Sequence, residues 1–457
     1  MIWPEHVEYI DSDVEWLGLI PREWSVRTLR HLGEALIGLT YGPEDIVDED
    51  TEDATLVLRS GNIQEGSLNL RDTVHVRTRI PGRLRLRDGD ILLCSRNGSR
   101  DLIGKNVRID GQVVGETFGA FMTVFRSEMN HFLYWVFNSR LFEYQASNFL
   151  TSTINQLTLG NLKAMQVPVP PLLEGCAIAD FLDRETAKID ALIAKQEQLI
   201  ETLREDRAAT ITQAVMRGIN SGTEVKYSGV EWIGSIPENW TLGRIKHGFS
   251  VMLGKMYQGS PDTADDVLRP HLKAGSLTSD LEVDISDPME CWFAPEELVN
   301  LSLRKGDLLV VEGGATYGRC AILREDLPGW GFQKSLNRLR PLGEDNIRFV
   351  YYLIQSATAS GHVSILCGKA TIPHFTSEKL ANLEWPHPTP SEQRAISDHL
   401  DSRCAKIDAL IAKSTEMIET LREYRSALIT DAVTGKIDVR SFVAADASAV
   451  AAQGEAK

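Results

Sequence analysis

The chain has 457 residues, 43% hydrophobic and 25% charged, the composition of a soluble globular protein with length enough for two to four domains. Its net charge of −16 counts against a protein that grips nucleic acid by overall positive charge, although local distribution outweighs the sum. No run is long enough to span a bilayer, and the acidic start has no apolar leader. The six scattered cysteines show no CxxC pair, which leads us to expect reduced thiols in a cytoplasm.

Taken in chain order, residues 1–171 read as a first globular domain of short strands and turns. Strands are expected at 55–59, 90–93 and 122–125, and an aromatic-rich helix at 132–149. Val167-Pro-Val-Pro-Pro171 is expected to break regular structure and stiffen the exit. Residues 172–222 hold a long amphipathic helix, from about 174 to 217, stopped by Gly218. Residues 223–390 repeat the globular order and close on Trp385-Pro-His-Pro-Thr-Pro390. A second long helix, opened by Ser391 with Glu392 behind it, fills most of residues 391–440. The Ala-rich residues 441–457 have little to bury and are expected to form a disordered tail.

The repetition is the strongest signal. LDRETAKIDALIAK, from Leu182, returns as LDSRCAKIDALIAK, from Leu400, and an IETLRE run follows each, at a constant offset of 218. VEWLGLIP, from Val14, returns as VEWIGSIP, from Val230, with Trp24 matched by Trp240. The period is too long for a solenoid, so the chain is one domain-plus-helix unit written twice. Within the helices, Leu182, Ile189, Gln196 and Leu203 fall seven apart, with Thr186, Ile193, Ile200 and Arg207 between them. Leu400, Ile407, Ser414 and Leu421 repeat the pattern, interleaved with Cys404, Ile411, Ile418 and Arg425. That is a heptad seam with a polar residue at the same place in both copies. Gln196 and Ser414 are either tolerated polarity or a pin against slipped alignments. Roughly 44 residues at 1.5 Å each make a rod of about 65 Å. Parallel helices would make the two domains collide at one end, so antiparallel packing is expected. The fold class is therefore α+β: two pseudo-twofold-related globular domains joined by two long helices in an antiparallel coiled coil.

Catalytic signatures are missing. The sequence has no G-x-x-x-x-G-K-[ST] loop, no G-x-G-x-x-G after a strand, no HExxH, no nucleophile elbow and no paired Cys/His spacing. We therefore expect no catalysis, no cofactor and no metal. What remains are polar loops. The stretch from Arg77 to Arg87 carries five arginines in eleven residues, and Arg83, Arg85 and Arg87 would share one face of a strand. This is either a solvated face or a phosphate contact made through arginine forks. The second copy has Glu296 and Glu297 there instead. After the matched turns Gly89-Asp90 and Gly306-Asp307 come two loops. Arg96, Asn97, Ser99 and Arg100 in one, and Thr316, Tyr317 and Arg319 in the other, are side chains of the kind that read base edges, or else simply belong to turns. Thr153-Ile-Asn155-Gln156 matches Thr371-Ile-Pro-His374 beside each proline exit, and Tyr41 matches Tyr257. Lys255 and Lys369 complete the candidate contact set.

Two copies of SxVEWxGxIPxxW, each followed by a variable domain, a TIxx[LF]T segment, a proline exit and AKIDALIAK…IETLRE, resemble the specificity subunit of type I restriction–modification enzymes. The resemblance runs from about Tyr9 to Arg440. One departure is Pro171-Leu-Leu-Glu174-Gly-Cys-Ala in the first copy, where the second keeps Ser391-Glu392-Gln393-Arg394. The resemblance implies that each domain is a target recognition domain reading one half of a split, asymmetric site in double-stranded DNA, with the helices as a ruler for the spacer. It also implies two modification subunits carrying S-adenosylmethionine and restriction subunits bringing ATP and magnesium, while this chain performs no chemistry. The competing readings are a coiled-coil adaptor with two tandem ligand-binding domains, favoured by the negative charge, and a fused nuclease, disfavoured by the missing motifs.

Overall fold

A computed structural model of the chain describes residues 3–64, 66–149, 155–220, 222–278, 282–368 and 373–440; the expected tail at 441–457 lies outside them. The chain forms two compact units. One is Met1–Gln196 with Glu416–Lys457, and the other is Glu197–Thr415.

In the first unit an antiparallel sheet runs Asn106–Arg108, Ile91–Cys94, Met122–Arg126, Glu34–Ile37. A second sheet runs Thr117–Phe118, Thr55–Leu58, His75–Val76, Ile46–Val47. Ile91–Cys94 is apolar throughout because it is covered on both faces: Ile91 and Leu93 enter one core, Leu92 and Cys94 another. The expected single helix at 132–149 is two, Asn130–Phe137 and Arg140–Phe149. At the break Asn138 Nδ2 donates to the Tyr134 carbonyl and Ser139 Oγ to that of Val136, satisfying the first helix's last carbonyls.

The second unit repeats the plan. One sheet runs Phe249–Leu253, Leu336–Pro341, Leu308–Val311, Cys320–Ile322, and the other Met289–Phe293, Val267–Leu272, Gly331–Phe332. Leu308 and Val310 face one core, Leu309 and Val311 the other. The matched Gly-Asp turns explain themselves. Gly89 and Gly306 have φ of 77° and 87°, where a side chain is strained. Asp90 and Asp307 are buried and accept from Arg126 Nη2 at 2.6 Å and Arg340 Nη2 at 2.7 Å. These bonds hold both guanidinium pKa values above their ordinary one.

The proline exits correct one expectation. They do not break structure but are strands: Gln166–Val169 pairs antiparallel with Ser25–Thr28, and Glu384–His387 with Thr241–Arg244. A two-stranded ribbon is all edge, which is where proline is tolerated. The long helices follow, Leu172–Arg217 and Pro390–Val433. The second is capped by Thr389, not opened by Ser391. Thr389 Oγ1 accepts from the Glu392 amide at 3.3 Å, and Glu392 Oε2 accepts from the Thr389 amide at 3.1 Å, a capping box with Pro390 as the first helical residue.

Segments of the two helices pair antiparallel inside each unit. In the first, Arg425 Nε donates to Asp190 Oδ1 at 2.8 Å; in the second, Arg207 Nε donates to Asp408 Oδ1 at 3.0 Å. Leu182, Ile189, Ile200, Leu400, Ile407, Ser414 and Ile418 are buried, while Ile193, Gln196, Leu203, Ile411 and Leu421 are half-buried.

The repeated IPxxW motif closes each unit. Trp24 Nε1 donates to Glu174 Oε1 at 3.2 Å, near the start of the first long helix. A Cβ on Gly435, just past the second helix, would lie 2.4 Å from Pro21 Cδ and 3.2 Å from the Trp24 ring. In the second unit Trp240 Nε1 donates to Glu392 Oε1 at 3.5 Å, and Gly218 approaches the Trp240 ring. Each tryptophan is thus clasped between the start of one long helix and the end of the other. The departure at Gly175 also has a physical reason. Gln393 is fully buried and bonds Asp345, the Asn346 amide and the Pro388 carbonyl. A Cβ on Gly175 would instead meet Pro170 at 3.3 Å and Phe132 at 3.5 Å, so apolar packing fills that place.

Candidate nucleic-acid interface

In each unit the candidate surface lies at the far end of one strand, Ile91–Cys94 or Leu308–Val311, where the chain leaves both cores. Gly38 and Gly254, after the first strand of each main sheet, allow the close approach. A Cβ at either would lie 2.3 Å from carbonyl oxygens, those of Phe118 and Gly119 or of Phe332 and Gln333. Matched bridges join Leu39 to Gly119 and Lys255 to Gln333. Beyond them stand Tyr41 and Tyr257.

In the first unit the loop after Cys94 bridges to the segment before the proline exit: Arg96 pairs with Gln156, and the Leu157 amide donates to the Ser95 carbonyl. Asn155 Nδ2 donates to the Gly98 carbonyl at 2.9 Å and Asn97 Nδ2 to Ser60 Oγ at 3.2 Å, so these two amides brace the loop. Ser99 and Arg100 are exposed, and Arg100 Nη2 donates to the Ser147 carbonyl at 3.3 Å. The Arg96 guanidinium lies 5.1 Å from the ring centroid of Phe121, a residue that is 58% exposed. Beside them is a cavity of about 610 Å³ lined by Tyr41, Arg59, Ser60, Asp72 and Phe121. Arg59 leans on Asp72 at 3.3 Å. Burial pushes the Cys94 thiol beneath the loop up, which keeps it protonated and inert.

The second unit builds the same frame with different side chains. Gly313 bridges to His374, and the Phe375 amide donates to the Glu312 carbonyl. A cavity of about 330 Å³ is lined by Tyr257, Glu312, Gly313, Lys334 and His374. Three candidates are already engaged. Lys255 pairs with Glu297 over the Phe293 ring, Tyr317 packs against the core, and Arg319 Nη1 donates to the Leu277 carbonyl at 3.0 Å. Thr316 is half-buried in the same loop. Thr153, Lys369 and Thr371 lie outside the described residues.

The arginine-rich stretch stands apart from these loops. Gly82–Leu84 is a 3-10 turn and no strand follows it, so the expected strand face is absent there. The alternation survives nonetheless, with Leu84 and Leu86 buried and Arg83, Arg85 and Arg87 exposed. Arg126, paired with Asp90, donates to the Arg83 and Arg85 carbonyls, which fixes the cluster at the opposite end of Ile91–Cys94 from Arg96. That strand alone spans about 13 Å. Arg77 is exposed beyond the strand His75–Val76.

Sequence reasoning passed over Phe121, Arg59 and Glu312. Phe121 sits between two apolar runs and reads as core. Glu312 opens the second loop directly after a buried strand, with nothing local to mark it.

The paired cavities and the doubled helix framework meet a direct comparison. The sequence matches the family described as Type I restriction modification DNA specificity domain over residues 85–202 and 294–420, more than half of the chain. The chain belongs to that family. It is 25% identical over 320 residues to the type I restriction enzyme EcoKI specificity subunit of Escherichia coli K12, covering 67% of this chain and 66% of that one. It is 24% identical over 445 residues to a chain described as the MjaX specificity subunit of Methanocaldococcus jannaschii, covering 93% and 96%. The match to the Salmonella potsdam StySPI specificity subunit spans about half of that relative, 47%. Among solved structures, the HsdS subunit of Thermoanaerobacter tengcongensis superposes with a TM-score of 0.52 at 16% identity, over 92% of this chain and 98% of that one. A chain from a study of assembly and conformational transition in a type I restriction–modification system gives 0.69 at 16% identity, over 92% and 99%. At such identity these two establish the shared α+β fold. No helix among the described residues is long and apolar enough to cross a membrane.

Proposed function

We propose that this member of the specificity family reads a bipartite, asymmetric site in double-stranded DNA, one half through each unit, and scaffolds a cytoplasmic type I restriction–modification complex. Two modification subunits bind S-adenosylmethionine and methylate a flipped adenine, restriction subunits cleave, and this chain selects the site without catalysing a step. The long helices set the unread spacer between the halves.

The observation that carries this reading is one frame furnished twice with different side chains. Around the shared Tyr41 and Tyr257, the positions of Ser95, Arg96, Phe121 and Gln156 in the first unit are held in the second by Glu312, Gly313, Ser335 and His374. Arginine forks suit the O6 and N7 acceptors of guanine, and an exposed ring beside them suits a thymine methyl or a stacked base. A scaffold conserved between copies with divergent cavities is what reading two different half-sites requires. The arginine-rich turn, exposed and remote from the cavity, suits phosphate contact and carries no base choice.

Arg96→Ala combined with Arg100→Ala tests it. Methylation by the complex should lose base selectivity in one half of the motif only, with each lost bidentate contact worth about 1–3 kcal/mol of discrimination. Complex assembly should be unchanged. Unaltered selectivity in both halves would remove this loop from recognition.

A further inference from the structure

We propose that Glu312 selects, in the half-site read by the second unit, a base that offers an exocyclic amine in the major groove, the N4 of cytosine or the N6 of adenine. This rests on the DNA-reading function and adds the chemical class of base at one point of it.

Glu312 lies in the wall of the second unit's cavity, with only 8% of its surface exposed. Its backbone is fixed from both sides: its amide donates to the Ser335 carbonyl at 2.8 Å and its carbonyl accepts from the Phe375 amide at 2.6 Å. The backbone from which the side chain starts is therefore held by the frame that carries the site. Among the described residues, its carboxylate has no hydrogen-bond donor and no ion-pair partner. Lys334 and His374 share the cavity without engaging it.

The counterpart in the first unit is Ser95, whose backbone makes the same two bonds, to the Phe121 carbonyl at 3.0 Å and from the Leu157 amide at 2.8 Å. Its hydroxyl is already engaged, donating to the Phe121 carbonyl at 3.0 Å and accepting from Thr123 Oγ1 at 3.0 Å. One position of the shared frame is thus closed in the first unit and presents acceptor oxygens in the second.

An ionised carboxylate only accepts hydrogen bonds. With no protein donor among the described residues, its oxygens are open to a donor brought by the ligand. Of the groups that bases present in the major groove, only the amines of cytosine and adenine donate. Guanine O6 or thymine O4 would set acceptor against acceptor, so the same carboxylate also rejects the wrong base by repulsion.

The test uses the full chain co-produced with its modification subunit, with methylated adenines mapped by single-molecule sequencing for the wild type, Glu312→Gln, Glu312→Ala and Glu312→Lys. In the wild type, one base pair of one half should keep its amine-bearing base, C or A, on the same strand in every methylated site. Glu312→Gln, which can donate as well as accept, should relax that position toward G or T with about a ten- to hundredfold fall in discrimination. Glu312→Lys should move the preference to G. The other half, altered by the Arg96 variant, should be unchanged and reports that the protein folds and assembles. If Glu312→Ala abolishes methylation altogether, the near-isosteric Gln variant decides. A wild-type motif retained by both the Gln and Lys variants would overturn the assignment of Glu312 alone, as would relaxation confined to the half altered by the Arg96 variant. A wild type without any motif would overturn the DNA-reading function and this assignment together.

Discussion

Asp90 and Asp307 show how much one residue can carry. Each is buried, takes a forked arginine from a neighbouring strand, and accepts a turn amide, from Arg87 or Arg304, at 2.8 Å. Removing the carboxylate leaves a partly buried guanidinium without its counter-charge. Asp90→Ala or Asp307→Ala should therefore destabilise its own unit by about 3 kcal/mol, seen in denaturant unfolding. Adding Arg126→Met or Arg340→Met should restore part of that loss; no recovery in the double variant would mean the pair is not the source. The repeated Gly-Asp turns were legible in the sequence, but their arginines were not, because pairing across strands leaves no local spacing. The same reason hid Phe121 and Glu312. Each adjoins a core residue, Met122 or Val311, and nothing local in the sequence marks the cavity that it lines.

At the scale of elements, the helices were the most legible part, since a seven-residue repeat is written locally and twice. The antiparallel pairing expected from the placement of the domains is what the Asp190–Arg425 and Asp408–Arg207 pairs record. The proline exits misled because proline suggests a break. Their pairing partners lie 138 or more residues away, as in Val167 with Arg27 and Trp385 with Gly243, beyond the reach of any periodicity. The glycines that end the helices offer a graded test. Both sit at positive φ, 77° for Gly218 and 75° for Gly435, so alanine should cost at least about 1 kcal/mol at either. Gly435→Ala should cost clearly more, because its Cβ would fall 2.4 Å from the Pro21 ring, whereas that of Gly218 would meet Trp240 at 3.3 Å. Equal melting temperatures for the two variants would count against the tryptophan clasp as a tight junction.

For the molecule as a whole, two units share a scaffold of matched sheets, matched Gly-Asp turns and matched tryptophan clasps, and they differ where a ligand would be read. The net charge of −16 fits the proposed role, in which partner subunits would supply much of the phosphate contact. Family and architecture were legible because repetition and motif order survive at low identity. The bases were not, because no side-chain code converts a loop into a sequence. The most direct test of the central claim is the methyladenine map of cells producing this chain with its modification subunit. A new split motif with two unlike halves and a fixed unread spacer is the predicted result. A stable complex that leaves no such motif, or one that marks a single continuous site, would contradict it.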